Sequence, residues 1–414
     1  MQLRAGRLHA WCVFAGLLCA APTSVRAETA EASPGVSPTA SALAGFLAAD
    51  QDPASGLLVS YPQSAEHVLR DVAFTYDMAV SALVLTHQGR LPAAERALAL
   101  YLHMPLPADG SRAFNTAYHV TRGLPTLEYR LHAGPACWIA ISLIRFGERA
   151  NRPDAIEKGL ALLDWLRTHL HHVDGGLVMG TEEPWDYILS TENNWVYYGA
   201  LRVALPHVSD ASARRALRAE LREVRGWLGR HIRQRGEDDP VRALDVYTHA
   251  LLVGPEAHLE NAGIDRRVLA VWAKEWVGEI EALFHVPGTA RYDYTDAREA
   301  RQAGRARAGW LEGTEQVAVA YQTWAPFFDA MGDREFARQL RLQATLAHRD
   351  VLRFGLADGR RLAIPNTDAE APFRNFSDGW VTRPRSEPAL NGTNWAYLAE
   401  VGYNPLTTPA SRRR

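Results

Sequence analysis

The chain is poor in cysteine and carries no excess of either charge. Only three cysteines occur among 414 residues, and two of them, Cys12 and Cys19, fall within residues 1–27. The third, Cys137, has apolar neighbours and no partner for an internal disulfide, so we expect a small buried side chain and no nucleophile. Acidic and basic residues are mixed and the formal charge is -2, which argues against a nucleic-acid partner.

The sequence also lacks the short motifs of common metal and cofactor sites. It contains no CxxC, no HExxH, no GxSxG and no Walker-type glycine loop. His119 and His132 have no matching set of metal-ligand residues. We therefore predict neither a metal nor a cofactor.

No apolar run at the N-terminus is long enough to span a membrane. Arg4 and Arg7 precede an apolar run from about Ala10 to Ala21, and Val25-Arg26-Ala27 fits the small-x-small cleavage rule. A membrane span needs roughly 20 apolar residues, and this run is shorter. We expect an export signal over residues 1–27, a periplasmic or extracellular location, and no membrane anchor after cleavage.

What the chain does contain is a long succession of helices of two kinds. One kind is apolar on every side, as in NWVYYGALRVAL, and such a helix must be surrounded by protein. The other kind has one apolar stripe, which is typical of a surface helix, as in Leu217, Leu221, Val224, Leu228 and Ile232. The two kinds alternate, six of each, and the apolar helices begin near residues 71, 133, 191, 241, 312 and 391.

Six repeated hairpins with a fully apolar member predict an all-α fold, the closed (α/α)6 toroid with an inner and an outer ring. The first outer helix, at about 39–50, and the last inner helix, at about 391–401, would complete the sixth pair. An open superhelix is the alternative. The predicted organisation is a signal peptide over 1–27, a flexible lead-in over 28–37, a toroidal catalytic domain over 38–406 and a disordered tail over 407–414.

The connections between helices are also of two kinds. Those before the inner helices are long and rich in glycine, aromatic residues and acids, whereas those after them are short. Long irregular connections in a compact domain are usually functional. Because they share one face of the ring with the starts of the inner helices, we predict a site around the central hole on that face. This region is called the mouth below.

Polar and aromatic residues are concentrated at the predicted mouth. The segment STENNW at 190–195 opens an apolar helix with a carboxylate and two amides. Carboxylates and amides bind hydroxyl groups, and aromatic faces cover the C–H faces of sugar rings, so we predict a carbohydrate ligand. The candidate catalytic acids are Asp71, Asp77, Glu192, Glu312 and Glu315. The candidate substrate-binding residues are Tyr76, Glu128, Trp185, Asp186, Asn193, Asp245, Trp310, Trp380, Asn394 and Trp395.

Each candidate acid also has a structural interpretation. Capping of a helix N-terminus is the alternative for acids in a first turn, namely Asp71, Glu192 and Glu312. An ion pair with Arg70 or Arg242 is the alternative for acids within apolar runs, where an unpaired charge is costly, namely Asp77, Asp245 and Glu315. The recurrence of acids on one face favours the functional interpretation.

Several segments together resemble the six-hairpin glycosidase superfamily of bacterial secreted (α/α)6 toroids. They are TYD, GPACWIAISLI, DGG, STENN, EGTEQVAVAY and TNWAYLAEVGYNP. The resemblance implies a glycan-active enzyme with its cleft at the starts of the inner helices. It also implies acid–base catalysis by carboxylates without a metal.

The reaction predicted from these residues is hydrolysis with inversion, acting on a polysaccharide or oligosaccharide. One carboxylic acid must protonate the leaving oxygen while a second, ionised carboxylate activates water. We expect Glu192 as proton donor, with Trp185 and Trp195 desolvating it, and Asp71 or Asp77 as base. Because a helix N-terminus lowers a carboxyl pKa, Glu312 or Glu315 is the alternative donor.

Two other functions compete with hydrolysis. A lyase acting on uronic-acid polymers would need a tyrosine or histidine base beside a cation, and Tyr76, Tyr118 and His119 with Arg122 would supply these groups. A glycan-binding or assembly protein of the same fold would bind carbohydrate without turnover.

Overall fold

The computed structural model describes residues 37–110, 113–126, 131–183, 185–236, 241–262, 264–375 and 381–407. The predicted signal peptide, the predicted lead-in up to residue 36, the tail from residue 408, and the candidates Glu128 and Trp380 lie outside these residues. Ser37, predicted as part of the lead-in, instead caps the first helix, since its hydroxyl accepts a hydrogen bond from the Ala40 amide at 3.0 Å.

Six helices form an outer ring and are buried along one side only. In the helix over 211–230, for example, buried side chains recur at helical spacing, as in Leu221, Val224 and Leu228, while Arg222 and Glu223 are exposed. The outer helices are α1 (Pro38–Ala49), α3 (Leu91–His103), α5 (Pro153–Leu170), α7 (Ala211–Arg230), α10 (Arg266–Leu283) and α13 (Arg334–Leu352).

Six further helices form an inner ring and are buried almost all round. They are α2 (Thr75–His87), α4 (Ala133–Ala150), α6 (Thr191–Ala204), α8 (Leu244–Leu252), α12 (Leu311–Ala330) and α14 (Leu390–Val401). Every residue of α6 is buried except Glu192, which is partly exposed. Two short helices, α9 (Pro255–Ala262) and α11 (Ala297–Gln302), lie in the connections on either side of α10.

The inner ring is closed. Along it, α2 packs on α4, α4 on α6, α6 on α8, α8 on α12, α12 on α14, and α14 returns to α2. Each outer helix packs on the inner helix that precedes it, and α1 packs on α14 to complete the sixth pair. The predicted all-α toroid is therefore confirmed and the open superhelix is excluded.

Short strands occupy parts of the connections that we predicted to be irregular. β1 (Val72–Phe74) pairs antiparallel with β2 (Ala117–His119), in the register Val72 to His119. β3 (Leu356–Asp358) pairs with β4 (Arg361–Pro365), which pairs with β5 (Pro388–Ala389). β1 runs directly into α2 and β5 directly into α14, so these strands set the entry of both helices.

A cyclic set of six hydrogen bonds aligns the starts of the inner helices. The first amide of each inner helix donates to a carbonyl in the connection that leads to the next inner helix. The pairs are Thr75 to Thr116 (2.8 Å), Ala133 to Met179 (2.7 Å), Thr191 to Arg235 (2.9 Å), Leu244 to Tyr294 (2.9 Å), Leu311 to Asn366 (3.0 Å) and Leu390 to Ser60 (3.0 Å). The helix starts are thus held in one register around the hole.

Candidate active site

The second residues of the six inner helices occupy equivalent positions around the mouth. In chain order these residues are Tyr76, Gly134, Glu192, Asp245, Glu312 and Asn391. Three consecutive members of this set are acids, on the neighbouring helices α6, α8 and α12. Asp77, the third residue of α2, adds a fourth carboxylate.

Glu312 is held by a chain of hydrogen bonds that begins on two other inner helices. The Tyr76 hydroxyl donates to Glu312 Oε1 at 2.6 Å and accepts from the Trp395 indole at 2.7 Å. The Gln316 amide donates to the same oxygen at 3.3 Å. Burial raises the pKa of Glu312 to about 8, although the Tyr76 hydrogen bond favours the ionised form. Glu312 is therefore largely protonated at neutral pH.

Asp245 is buried, and only one of its two carboxylate oxygens accepts a hydrogen bond from a described residue. Its Oδ2 accepts a hydrogen bond from the Tyr294 hydroxyl at 2.6 Å. Its Oδ1 is buried and has no hydrogen-bond partner within the described part of the chain. Burial raises the pKa of Asp245 to about 6, while the bond from Tyr294 opposes the rise. This pKa is lower than those of Glu312, about 8, and Asp77, about 7.

Glu192 differs from the other mouth acids because it is partly exposed to solvent. Within the described residues no hydrogen bond reaches its carboxylate. Burial against the protein raises the pKa of Glu192 well above its ordinary value, and the charges of Asp245 and Glu312 add to the rise. Burial and these two charges together outweigh the helix N-terminus, which by itself would lower the pKa of Glu192.

Asp77 lies on the other side of Glu312. It is 3% exposed. Burial raises the pKa of Asp77 to about 7, against a hydrogen bond from Ser60. Its charge acts on Glu312, Tyr61 and Tyr76. Arg70, the cation we considered as a structural partner, donates instead to the Ser64 carbonyl at 2.9 Å.

Capping does not explain the acids on α6 and α12. Ser190 is the N-cap of α6, since its hydroxyl accepts from the Asn193 amide at 3.3 Å. Trp310 is the N-cap residue of α12, and its side chain makes no capping hydrogen bond, while Glu312 bonds to other side chains. Both acids are therefore available to a ligand in the mouth.

The expectation that Asp71 opens the first inner helix is wrong. Strand β1 intervenes, and α2 begins four residues later, at Thr75. Asp71 accepts hydrogen bonds from the amide and hydroxyl of Thr121 at 2.8 and 2.9 Å and lies 3.4 Å from His119 Nδ1. These contacts tie two connections together and leave Asp71 outside the group of mouth carboxylates.

Glu315 faces the outer ring. It is fully buried, with its oxygens 2.9 and 3.0 Å from His348 Nδ1 on α13, and His348 Nε2 lies 2.8 Å from Glu400 on α14. Burial lowers the pKa of His348, but Glu315 and Glu400 outweigh this effect and raise it to about 9. Glu315 thus belongs to an ion pair between the rings, which corrects its expected place at the mouth.

Two predicted binding residues also serve packing within the ring. Asn394 is fully buried, and its amide donates to the Ser81 hydroxyl at 3.0 Å and the Asp77 carbonyl at 3.3 Å, which joins α14 to α2. Trp395 is fully buried beneath Tyr76. Trp195, expected beside Glu192, instead packs on His258 of α9 at 5.5 Å between the rings.

The remaining predicted residues lie around the rim. Trp310 packs edge-on against Tyr294 at 4.6 Å, next to Glu312 and Asp245. Trp185 packs on His132 at 5.0 Å, before the start of α4, and Asp186 is exposed. Asn193 is buried, and its Nδ2 has no hydrogen-bond partner among the described residues.

A glycine on α4 makes room for Asn193. A Cβ atom at Gly134 would lie 2.3 Å from Asn193 Oδ1. Side chains longer than hydrogen are therefore excluded at this one position of the ring. The Asn193 amide therefore fills the space at the start of α4, beside the acidic side of the mouth formed by α6, α8 and α12.

One residue at the site was not predicted from the sequence, namely Tyr294, which supports Asp245 from a connection. Asn391, which the segment LNGTNW places at the mouth together with Asn394, donates to the Tyr61 hydroxyl at 3.4 Å. Tyr294 follows an alternating YDY pattern, which marks an extended segment but does not identify its partner.

Among the described residues, no group of three or more histidine, cysteine, aspartate or glutamate side chains is arranged to hold a metal ion. No helix in the same part of the chain is both long and apolar enough to cross a membrane. The free Cys137 is buried, as expected from its neighbours.

Comparison with known proteins shows the fold. No protein-family model matches the chain, and no curated protein sequence matches it. Among solved structures it is similar to a glycosidase (12% identity, TM-score 0.58, 89% of this chain and 97% of the other). It is also similar to an alpha-amylase from Clostridium perfringens (10%, 0.57, 90% and 100%) and to cellobiose 2-epimerase from Bacillus thermoamylovorans B4167 (11%, 0.60, 86% and 95%). The chain therefore shares the (α/α)6 toroid fold of these structures, as predicted.

Proposed function

We propose that the protein is a glycan-active enzyme and, more specifically, a glycoside hydrolase. The observation that carries the proposal is the convergence of Glu192, Asp245 and Glu312 on consecutive positions of the mouth, each with a raised pKa. Enzymes of the same fold that are named for action on sugars support it. Buried carboxyl groups with separated pKa values are what acid–base cleavage of a glycosidic bond needs.

Glu192 is the proposed proton donor. The raised pKa of Glu192 favours its protonated form, and its partial exposure on an otherwise buried helix lets it reach a glycosidic oxygen. Glu312, whose pKa is raised to about 8, is 4% exposed and already bonded to Tyr76 and Gln316. Glu312 is therefore assigned to substrate binding, where its protonated carboxyl both donates to and accepts from sugar hydroxyls.

Asp245 is the proposed base. Its pKa of about 6 is lower than those of Asp77 (about 7) and Glu312 (about 8), so Asp245 ionises more readily than either. Its Oδ1, which has no hydrogen-bond partner among the described residues, is available to accept a proton from water. Tyr294 holds the other oxygen and fixes the carboxylate. In this mechanism Glu192 protonates the leaving oxygen while Asp245 deprotonates a water that attacks the anomeric carbon from the opposite face, with inversion. Asp77, the base expected from the sequence, is the alternative that variants must test.

The lyase alternative has less support. Tyr118 is buried, and its hydroxyl accepts a hydrogen bond from the Asn115 amide at 2.7 Å. His119 lies beside Asp71 in the β1–β2 pair, and Arg122 is exposed. Of the groups named above for a uronic-acid lyase, only Tyr76 lies at the mouth, where its hydroxyl donates to Glu312.

We also propose that the protein acts in an export compartment, on the basis of the N-terminal sequence pattern. Detection of the mature chain in the periplasm or medium, cleaved after Ala27, would test this. Retention of residues 1–27 in the cytoplasmic fraction would contradict it.

One assay separates the three candidate functions. Chain 28–414 is incubated with a panel of bacterial and plant polysaccharides, and reducing ends and ultraviolet absorbance are followed, with Glu192→Gln as control. New reducing ends without absorbance, lost in the variant, are expected of the hydrolase. Absorbing, unsaturated products would establish a lyase, and binding without product would establish a glycan-binding protein; either result rejects the proposal.

A further inference from the structure

Aromatic rings from four inner helices form a floor beneath the mouth carboxylates. Trp138 of α4 lies edge-on to Tyr76 of α2 and to Trp395 of α14, each at 6.0 Å between ring centroids. The His249 ring of α8 lies against the same Trp138, at 6.1 Å. His249 follows Asp245 by one helical turn, so the two side chains share a face of α8.

Two polar atoms of this floor are buried without a partner. Trp138 and His249 are each 1% exposed, yet Trp138 Nε1 and His249 Nε2 have no hydrogen-bond partner within the described residues. Buried polar groups are almost always paired, so these two nitrogens are open to hydrogen bonds with a ligand in the mouth. Tyr76 and Trp395, by contrast, satisfy each other.

The kind of ligand group that these two nitrogens can bind follows from which nitrogen donates and which accepts a hydrogen bond. His249 Nδ1 lies 2.8 Å from the Asp245 carbonyl, which only accepts, so Nδ1 carries the proton and Nε2 is a bare acceptor. Burial lowers the pKa of His249 to about 4, which keeps the ring neutral. The Trp138 indole is a donor only. A single ligand atom that contacts both rings must therefore donate to His249 Nε2 and accept from Trp138 Nε1.

We propose that Trp138 and His249 bind one hydroxyl group of a neutral sugar in the mouth and thereby determine specificity. A hydroxyl both donates and accepts, whereas an ionised carboxylate has no hydrogen for His249 and an ammonium has no lone pair for Trp138. The pair thus selects against a uronic acid, an amino sugar or a deoxy sugar at this position. The inference rests on the proposed function and names its substrate class.

Nitrogen NMR of the full mature chain tests the contact directly. The protein is labelled with ¹⁵N in histidine and tryptophan and titrated with D-glucose, D-mannose, D-galactose and any other sugar it releases from glycans. Binding is expected to shift both the His249 Nε2 and the Trp138 indole resonances. The monodeoxy analogue of the bound sugar that lacks the bound hydroxyl should shift neither, because the donating group is absent.

Variants supply a second readout. His249→Phe should erase the preference for the sugar over that deoxy analogue, a preference we expect to be about 10–100-fold in the wild type. His249→Gln, which keeps an acceptor near Nε2, should restore part of it. A merely structural role for His249 would lower folding stability without changing this ratio.

The outcomes distinguish this inference from the proposed function. A chain that hydrolyses a glycan, but whose two resonances stay unmoved by the sugar it releases, overturns the hydroxyl site and leaves the hydrolase intact. Equal recognition of every deoxy analogue by the wild type has the same meaning. A chain that releases no sugar and responds to no hexose overturns both.

Discussion

The Tyr76 hydroxyl on α2 reaches Glu312 on α12, although these helices are not neighbours in the inner ring. The helix between them, α14, supplies Trp395, whose indole donates to the same hydroxyl. Tyr76 therefore spans one side of the mouth and ties three inner helices together. Because the Tyr76 hydroxyl donates its one hydrogen bond to Glu312, the tyrosine fixes the position of that carboxyl group and lowers its pKa.

Tyr76→Phe removes this proton while keeping the aromatic packing. We expect kcat/KM on the substrate found by the glycan panel to fall about 10–100-fold, because a hydrogen bond to an ionisable group contributes roughly 1.5–3 kcal/mol. The pKa of Glu312 should rise further, since the lost bond favours the ionised form. Steady-state kinetics of folded protein measures the effect.

Tyr397→Phe is the matched control. Tyr397 also joins α14 to α2 by a buried hydrogen bond, to Gln88 at 2.8 Å, but near the C-terminal ends of the helices. It should lose comparable thermal stability and keep its activity. Equal loss of activity in both variants would mean that Tyr76 acts only through stability.

Glu192→Gln tests the proposed proton donor. We expect kcat to fall about 10²–10⁴-fold, the usual contribution of a general acid, with the circular dichroism and melting temperature retained. Asp245→Asn should show a similar loss and Asp77→Asn a smaller one. Near-normal turnover by Glu192→Gln would reject the assignment, and a larger loss in Asp77→Asn than in Asp245→Asn would identify Asp77 as the base.

Glu315→Gln should behave in the opposite way. Its carboxylate pairs with His348 between the rings, and breaking a buried ion pair costs about 3–5 kcal/mol. We expect a lower free energy of unfolding in urea and, below the transition, activity within about twofold of wild type. Asp71→Asn, at a partly exposed site outside the mouth, should change neither property by much. A stable but inactive Glu315→Gln would return that residue to the list of catalytic candidates.

Gly313→Ala tests the packing that supports the acids. A Cβ atom at this position would lie 2.0 Å from the Trp310 ring, so the indole must move away from Tyr294, which holds Asp245. We expect about a tenfold or greater fall in kcat/KM, since small displacements of catalytic groups are costly. Gly278→Ala, in helix α10 with nothing near the new atom, should stabilise the fold by about 0.5–1 kcal/mol and leave activity unchanged. Normal activity in Gly313→Ala would mean that Trp310 and Tyr294 do not position Asp245.

The ring architecture was predictable from the sequence because inner helices are buried on all sides, whereas outer helices are buried on one side only. An inner helix such as α6 has no polar face, and an outer helix such as α7 has a single apolar stripe, so periodicity separates them. The location of Glu192 followed from the same argument, since a polar start on an otherwise apolar helix lies at the end of the ring. These signals are local, and the sequence displays them directly.

The detailed site depended on contacts between distant residues, which periodicity does not report. Asp71 was misplaced because β1 forms only by pairing with β2, more than forty residues away. Glu315 was misplaced because its partner His348 lies on another helix. The support of Asp245 by Tyr294 likewise joins two segments that no local pattern connects.

The buried acids should make the fold less stable as pH rises. Burial raises the pKa of Asp77 from 3.8 to about 7 and that of Glu312 from 4.5 to about 8. A carboxyl whose folded pKa exceeds its unfolded value contributes its full stability below the unfolded pKa and loses it as pH rises through the folded pKa. At about 1.4 kcal/mol per pKa unit, each site accounts for up to about 4 kcal/mol between pH 4 and pH 8.

Urea unfolding at pH 5, 7 and 8.5 should therefore show a falling free energy of unfolding in the wild type. Asp77→Asn, which cannot ionise, should be similar to wild type at pH 5 and more stable than wild type at pH 8.5. Ser60→Ala removes a hydrogen bond that favours ionised Asp77, so it should steepen the decline. A wild-type stability that is flat or rising over this range, or an Asp77→Asn variant that parallels it at every pH, would show that the buried carboxyls ionise without cost. The acidic mouth would then be a stable part of the fold at all pH values and not a site maintained at the expense of stability.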